Sequence, residues 1–227
     1  MDTSKDYRIL MAEDALRRLD RRVRCWNLSY PIHKGRALSI IKELNACLQA
    51  VKHSYLPLQY LLKYEPLLRL GELARKLSAE VLPPRGVRVE GRSKLLLAEL
   101  KYSLLQLINL KGRLALGEEN LPDRAVDIVA VEVVSVMKHP SADRLLVTKA
   151  GTERFGLTIV TNILGLKKGE VRAAALLPPQ EFFGVVSEAM YCSDPLPKEL
   201  LGRRPSRDVI HVNEVARVVE SVVRELR

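Results

Sequence analysis

The spacing of apolar residues changes near residue 120, and this change constrains the fold more than any other feature of the 227-residue sequence. Up to Leu121, apolar residues recur every three or four positions, which is the period of a helix with one buried face. After the segment GEENLPDRAVD (117–127) the period becomes two, and Val and Ile become frequent, as is typical of strands. We therefore expect two domains, residues 1–121 and 122–227, with 117–127 as the linker.

The N-terminal half predicts four or five antiparallel helices joined by short loops, which is a helical bundle. The expected helices cover about 5–28, 34–54, 56–82 and 93–116. Pro66 interrupts the third of them, and it either kinks one helix or begins the next at its first turn. Ser93 suits the start of the last helix and Gly117 suits its end.

The C-terminal half predicts several short strands and a closing helix. The expected strands are VDIVAVEVVSVM, RLLVTKA, FGLTIVT, EVRAAALL and, as a fifth, GVVSEAMYCS. Several short strands within about 70 residues favour a small barrel. The last segment, VNEVARVVESVVRELR, is an amphipathic helix with Val215, Val218, Val219, Val222 and Val223 on its inward face.

The chain is basic, with a net charge of +10 and a pI of about 9.6. Such an excess favours an anionic partner, such as nucleic acid or a membrane surface. Residues 1–122 carry 22 basic and 13 acidic side chains, so nearly all of the excess lies on the helical half. Arg17, Arg21 and Arg24 form one basic ridge opposite the apolar stripe of the first helix, and Arg85, Arg88, Arg92 and Lys94 add charge on a loop. These arginines either contact RNA, or pair with carboxylates, or hold a subunit interface.

The sequence favours a binding protein over an enzyme. It contains no GxSxG, P-loop or HExxH motif and no adenylation signature, and its four histidines are scattered. Three widely spaced cysteines form neither a disulfide framework nor a zinc ribbon, so we expect a reducing cytoplasm, no metal and no cofactor. No apolar run is long enough to span a membrane, and the N-terminus lacks the features of a signal peptide.

Three segments occur in order at the spacing of one domain. They are KHPSADRLLVTKA (138–150), LTIVTNILGLKKGEVRAAALL (157–177) and GVVSEAMYCSD (184–194). Over about 126–194 they resemble the structure-specific tRNA-binding domain, an OB-fold module. That module occurs as a free-standing tRNA-binding protein, in methionyl-tRNA synthetase, in the phenylalanyl-tRNA synthetase beta chain and in endothelial monocyte-activating polypeptide II. The residues that match its motifs are His139, Pro140, Ala142, Asp143, Leu145, Ile159, Val160, Ser187, Glu188 and Met190.

The resemblance implies a five-stranded OB-fold β-barrel, and nothing in residues 1–120 resembles a known family. Together with the N-terminal all-α helical bundle and the C-terminal helix that the apolar periodicity predicts, the expected fold class is an α+β multidomain protein. The resemblance also implies that Ser187 and Met190 contact tRNA, although Met190 could instead lie in the core. Two positions depart from the family pattern. Ala189 replaces a glycine of the last motif, and Thr161-Asn162 replaces a glycine after the third strand. Asn tolerates positive φ, so we expect the turn at Asn162 to survive.

Further residues of these three segments have predicted roles that follow from their chemistry. Pro140 fixes a turn at His139, and Asp143 can accept backbone N–H bonds there, so we interpret His139 and Asp143 as scaffold. The turn between the first two strands of an OB fold borders the ligand face. The candidate RNA contacts are therefore Lys138 and Arg144 beside that turn, and Asn162, Lys167, Lys168 and Arg172 near the third and fourth strands. Aromatic residues are few, which favours recognition of folded RNA by shape and backbone over stacking of single strands.

The expected function is non-catalytic binding of folded tRNA, either to assist an aminoacyl-tRNA synthetase or as a tRNA chaperone. A homodimer is a further expectation, because dimerisation accompanies binding in free-standing members of the family. Two alternatives stay open at this point. The helices could form an assembly or dimerisation scaffold, or the chain could be a detached synthetase subunit with a degenerate RNA-binding barrel.

Overall fold

The computed structural model describes residues 1–84, 86–87, 89–91 and 93–226. The chain forms two compact units, one of Met1–Val126 with Val219–Arg227 and the other of Asp127–Val218. The first unit is helical and the second contains the strands, so the expected α+β architecture is confirmed. The boundary between residues 121 and 122 stays a prediction.

Four long helices form the body of the first unit, each packed against two of the others. The helices are α1 (Tyr7–Arg24), α2 (Lys34–Lys52), α3 (Leu58–Leu61), α4 (Glu65–Val81), α5 (Ser93–Ile108) and α6 (Leu110–Leu114). Neighbouring pairs are α1–α2, α2–α4, α4–α5 and α5–α1, which closes a ring around one apolar core. Leu19, Leu44 and Leu77 are fully buried in that core. The bundle expected from the helical period is therefore present.

The helices of the bundle are interrupted at two points, of which the sequence pattern revealed only one. Pro66 lies in the first turn of α4, so it begins a helix rather than kinking one. The helix expected over 93–116 is instead two helices, separated at Asn109, whose ψ is 3°. Apolar residues continue across this break, and for that reason the periodicity did not reveal it.

The segment after α6 is held against the start of α1. Arg8 is fully buried, forms an ion pair with Asp6 at 2.6 Å, and donates to the Gly117 carbonyl oxygen at 2.6 Å. The Tyr7 N–H donates to Asn120 Oδ1 at 2.8 Å. These bonds fix the first part of the predicted linker to the helical unit, and a short 3₁₀ helix, Pro122–Ala125, follows.

The second unit is built on an antiparallel sheet whose strand order is β3-β2-β1-β4-β7. The strands are β1 (Ile128–His139), β2 (Ala142–Gly151), β3 (Gly156–Thr161), β4 (Val171–Ala175), β5 (Gln180–Phe182), β6 (Val185–Ser187) and β7 (Met190–Tyr191). Strands β5 and β6 pair only with each other, as a hairpin. Val131, Val133 and Ile159 are buried on the core side of the sheet, as the two-residue period predicts.

The sheet does not close into a barrel by strand pairing, which corrects the expected barrel. The expected fifth strand is split into β6 and β7 at Glu188-Ala189. Strand β7 pairs with β4, whereas β6 lies beside β3 without a ladder between them. The break arises because the chain turns between Ser187 and Met190, so that consecutive residues face different neighbours.

The chain ends in helix α7 (Val212–Arg224). Val215, Val219 and Val223 are buried, and Val218 and Val222 are half-buried, in agreement with the expected inward face. Among the described residues, no helix is both long enough and apolar enough to traverse a bilayer.

Candidate functional site

The turn between β1 and β2 is held by the His139 side chain. His139 is buried, and its Nδ1 accepts the Ser141 N–H at 3.1 Å. Its Nε2 lies 2.9 Å from the Phe182 carbonyl oxygen. Because a carbonyl oxygen can only accept, Nε2 is the donor of this bond. His139 therefore ties the β1–β2 turn to the β5–β6 hairpin, which is the scaffold role expected of it.

Asp143 does not play its expected part in this turn. Its side chain is exposed, and it accepts no hydrogen bond from the described residues. The side chain that accepts a backbone N–H in this turn is the buried His139, which bonds the Ser141 N–H. The expectation of an Asp143 turn bond was therefore wrong.

Side chains bridge the gap between β6 and β3. The Ser187 Oγ accepts the Val160 N–H at 3.0 Å and donates to the Ala189 carbonyl oxygen at 3.0 Å. The Glu188 N–H donates to the Thr158 carbonyl oxygen at 2.8 Å, and the Glu188 carboxylate accepts the Thr158 N–H at 2.9 Å. Three of these bonds cross to β3 in place of a strand ladder, and the bond from Ser187 to Ala189 fixes the turn of the split strand itself.

A groove of about 540 Å³ opens beside this bridge, entirely within the second unit. Its apolar part includes Leu145, Leu177 and Pro178. Its polar part includes Asn162, Arg172, Asp194, His211 and Glu214. Met190 is half-buried and lies on the wall. A concave site with apolar walls and a few polar groups suits a ligand that offers both flat surfaces and hydrogen-bonding edges.

The charges in the groove are largely paired. Arg172 is buried, and its Nε donates to Glu170 at 3.0 Å while Nη1 donates to the Ser193 carbonyl oxygen at 3.1 Å. His211 Nε2 lies 3.8 Å from the Asp194 carboxylate, which is an ion pair only when the histidine is protonated. A groove with a paired guanidinium and two carboxylates is better suited to neutral polar groups than to a phosphate.

Tyr191, which lines the groove, shares a buried hydroxyl pair with Thr148. The Tyr191 and Thr148 hydroxyl oxygens are 3.0 Å apart, and Thr148 also donates to the Ile159 carbonyl oxygen at 3.0 Å. Burial raises the pKa of Tyr191, with the Thr148 bond opposing it. The neutral hydroxyl is therefore retained, and it links β7 to β2 under the groove.

The structure brings together four of the predicted RNA contacts and separates the others. Asn162, Arg172, Ser187 and Met190 all line the groove. Lys138 and Arg144 lie exposed on β1 and β2 on either side of their turn, and Lys167 and Lys168 lie exposed between β3 and β4. Ser187 is buried, and its hydroxyl both accepts and donates a hydrogen bond within the protein, so it supports the groove wall.

The two departures from the family glycines are accommodated without strain. Among described residues other than glycine, only Tyr55 and Phe183 have positive φ. Asn162 therefore does not use the conformation expected of it, and Gly165, with φ 76°, supplies the turn further along. Ala189 has ordinary backbone geometry and is buried.

The predicted arginine ridge lies on the exposed side of α1. Arg17 pairs with Glu13 at 3.3 Å and Arg24 pairs with Asp20 at 2.7 Å. Arg21 is exposed, and no carboxylate of the described part of the chain pairs with it. Arg17 and Arg24 also line a groove of about 610 Å³ between α1 and α2, together with Lys42 and Asn45.

The predicted basic loop lies mostly outside the described residues. Arg85, Arg88 and Arg92 lie outside the described residues, whereas Lys94 is exposed. Across residues 1–84, 86–87, 89–91 and 93–226, no group of histidine, cysteine and carboxylate side chains could hold a metal ion. Burial raises the pKa of the Cys192 thiol to about 12.

Sequence reasoning missed Asp194, His211 and Glu214, which lie in the groove. Asp194 is the last residue of the third matching segment, whereas His211 and Glu214 lie beyond it, just before α7 and in α7 itself. The His211 N–H donates to the Cys192 carbonyl oxygen at 2.7 Å, which brings that segment back to the sheet. No periodic pattern in the sequence signals such a return.

Comparison with known families gives two matches. Residues 1–117 match the family described as "Alpha helical domain". Residues 128–217 match the family described as "Putative tRNA binding domain", which confirms the resemblance seen in the motifs. A search of curated proteins finds no match to this chain.

Proposed function

We propose a tRNA-binding function for this chain, which belongs to the alpha helical domain family over residues 1–117 and to the tRNA binding domain family over residues 128–217. The observation that carries the proposal is the coincidence of the second match with the groove. The matched residues contain nearly all of its lining, including Asn162, Arg172 and Met190. The sheet runs in the order β3-β2-β1-β4-β7, and β6, the other half of the split strand, lies beside β3. Because the two halves of the split strand thus connect the two edges of the sheet, this arrangement supports assignment of the unit to the OB fold.

The groove is proposed to accept bases and ribose of folded tRNA rather than phosphates. Its one guanidinium is paired with Glu170, and Asp194 and Glu214 would repel phosphate. Asn162 can bond a base edge or a 2′-hydroxyl, and Met190 can pack on a sugar or base. Ser187 is proposed to act by holding β6 against β3, so that Met190 stays on the groove wall.

Phosphate contacts are proposed for the exposed cations around the groove. Lys138 and Arg144 flank the β1–β2 turn, and Lys167 and Lys168 lie between β3 and β4. All four are exposed and take part in no ion pair within the described residues. Contacts of this kind position RNA and make binding depend on salt, but they carry no sequence preference.

The helical unit is proposed to supply a second contact through Arg17, Arg21 and Arg24. Residues 1–122 hold an excess of nine positive charges, against one for the rest of the chain. Arg21 forms no ion pair among the described residues. Arg17 and Arg24 each pair with a carboxylate four residues earlier in the same helix. Ion pairs at exposed positions contribute little to stability because water and salt screen them, so RNA phosphates can replace the carboxylates at little cost.

The proposed role is binding without chemistry of its own. The chain would hold folded tRNA for an aminoacyl-tRNA synthetase or preserve its fold, and it would do so as a homodimer. Delivery to an enzyme raises the local tRNA concentration without any new catalytic group. The three cysteines are free, which supports a reducing compartment such as the cytoplasm.

Equilibrium binding of folded tRNA to groove variants tests the proposal. Asn162→Ala and Met190→Ala should each weaken binding about fivefold or more, since each removes a contact worth about 1 kcal/mol. Lys198→Ala, an exposed change on a 3₁₀ helix away from the groove, serves as the control and should bind as the parent does. Parent-like affinity in both groove variants would reject the groove as the tRNA site.

A further inference from the structure

The β5–β6 hairpin has an unusual residue at its tip. Phe182 pairs with Val185, so the connection consists of Phe183 and Gly184 alone. Both have positive φ, 45° at Phe183 and 86° at Gly184. This combination is that of a type I′ turn, where the first position ordinarily holds Asn, Asp or Gly. A phenylalanine there is disfavoured by contact of its Cβ with the backbone.

The strain at Phe183 does not serve to bury the ring, because the side chain is 71% exposed. A strained backbone and an exposed large apolar ring both reduce stability, and neither is offset by burial in a core. Strained conformations of this kind cluster at sites that hold ligands. The combination therefore points to a ligand contact made by the ring.

The hairpin tip is fixed in place rather than free. The Phe182 carbonyl oxygen accepts His139 Nε2–H at 2.9 Å. The Phe183 ring meets the His139 ring edge-on, with centroids 6.1 Å apart and planes at 75°. An aromatic ring on such a support loses little conformational entropy when a ligand stacks on it.

The surroundings of the ring fit a nucleobase better than a protein surface. Lys138 precedes His139 and Glu181 precedes Phe182, and both are exposed, so the two segments that meet at the ring carry charged side chains. A side chain added at Gly184 would meet nothing within 4 Å, which leaves the approach open. A neutral, flat base is unaffected by the Glu181 carboxylate, whereas a phosphate would be repelled.

We propose that Phe183 is a stacking platform for one unpaired base of the bound RNA. This inference rests on the proposed function and adds a contact outside the groove, since the groove lining includes Phe182 but not Phe183. A single platform suits a folded RNA that presents one extruded base, in contrast to the rows of aromatics that bind single strands.

Affinity for folded tRNA, measured with the full chain, gives the first test. Phe183→Asn keeps the turn, because Asn accepts positive φ, and it should weaken binding about tenfold, as expected for one lost stacking contact. Its salt slope should equal that of the parent, because no phosphate contact is removed. Phe183→Tyr should bind within about twofold of the parent, since the stacking surface is kept.

The melting temperature separates this effect from misfolding. Phe183→Asn relieves backbone strain, so its melting temperature should equal or exceed that of the parent. Phe155→Ser is the matched control, because it removes an exposed aromatic from another hairpin of the same unit, and it should leave tRNA affinity unchanged.

A fluorescent ring gives a direct readout. Trp26 is the only tryptophan of the chain, so Phe183→Trp in a Trp26→Phe background carries one reporter. Stacking on a base should quench its emission when folded tRNA saturates the protein. The same reporter at Phe155 should show no quenching.

The outcomes separate the two claims. If the parent chain does not bind folded tRNA, the proposed function fails. If the parent binds but Phe183→Asn binds equally well and the tryptophan at 183 is not quenched, the stacking inference alone fails. Loss of self-association in Phe183→Asn with unchanged tRNA affinity would also overturn it, and would assign the ring to a protein contact.

Discussion

At the residue scale, the side chains that match the family motifs act mainly by holding the backbone of the second unit. His139 joins a turn to a hairpin 43 residues further along the chain. Ser187 joins β6 to β3. Each is buried and makes two hydrogen bonds. The groove depends on these residues because they fix the strands from which its lining projects.

Ser187→Ala tests this dependence. The substitution leaves the buried Val160 N–H and the Ala189 carbonyl oxygen without a partner, so the free energy of unfolding should fall by about 1–3 kcal/mol. Urea denaturation measures the change. Ser141→Ala, at an exposed position of the β1–β2 turn, should stay within about 0.5 kcal/mol of the parent. Equal stability of the two variants would contradict the bridging role.

The three thiols should differ in reactivity. Cys25 is exposed, Cys47 is buried with a pKa raised by burial, and Cys192 is buried with a pKa of about 12. A thiol reagent should therefore modify about one thiol in the native chain and three after denaturation. Cys25→Ser should abolish the native reaction, and rapid labelling of Cys192 in the folded chain would contradict its burial.

The raised pKa of Cys192 makes the stability of the fold depend on pH. Cys192 ionises near pH 9 when unfolded and near pH 12 when folded. Its contribution to stability is therefore complete below pH 9 and is lost as the pH rises from 9 to 12. Urea denaturation between pH 8 and 11 should show a smaller decline for Cys192→Ala than for the parent. Parallel declines would contradict the assignment.

Sequence reasoning reached the scaffold role of His139 because the following proline restricts the turn. It could not reach the bond to Phe182, since nothing local specifies a partner 43 residues away. Asp143 was assigned a turn bond on the same local grounds, but the side chain that accepts a turn N–H is His139. Local rules thus identify a turn but not which side chain completes it.

At the scale of elements, hydrogen bonds and tight turns place short strands that hydrophobic pattern alone does not resolve. The split of the fifth strand at Glu188-Ala189 lies inside a run that reads as one strand. The helices α1, α2 and α4 follow their periodicity because each has one buried face. The break at Asn109 was missed because apolar residues are present on both sides of it.

The β2–β3 hairpin should depend on Gly151. A Cβ at this position would lie 2.3 Å from the Phe155 carbonyl oxygen, so Gly151→Ala must shift the backbone of the turn. The expected loss in the free energy of unfolding is about 1–3 kcal/mol, measured by urea denaturation. Gly156→Ala is the control, since its added Cβ would meet nothing within 4 Å. A tolerated Gly151→Ala would show that the turn is less close than described.

The arginine ridge of α1 is testable through salt. If Arg17, Arg21 and Arg24 contact phosphates, their joint replacement with Ala should lower the slope of log Kd against log salt by about two to three. The control removes the same number of charges from exposed positions at and near α4, by Lys63→Ala, Arg75→Ala and Lys76→Ala. Equal slopes in the two triple variants would reject a specific contribution of the ridge.

At the scale of the whole molecule, shape and charge are divided between the two units. The second unit holds the groove but is almost neutral, and the first unit holds nearly all of the excess positive charge. The period change near residue 120 was enough to predict this division, because helices and strands differ in their apolar spacing. The groove could be anticipated only where the matching segments line it, since His211 and Glu214 lie beyond those segments and reach it through the path of the chain.

The most direct test of the central claim compares folded tRNA with an RNA of the same length and base composition but scrambled sequence. Both are titrated with the full chain across a salt series. Recognition of fold and backbone predicts tighter binding of the folded tRNA at every salt concentration, with Met190→Ala reducing that preference. Equal affinity for the two RNAs at all salt concentrations would contradict the account, because attraction to charge alone would then explain the binding.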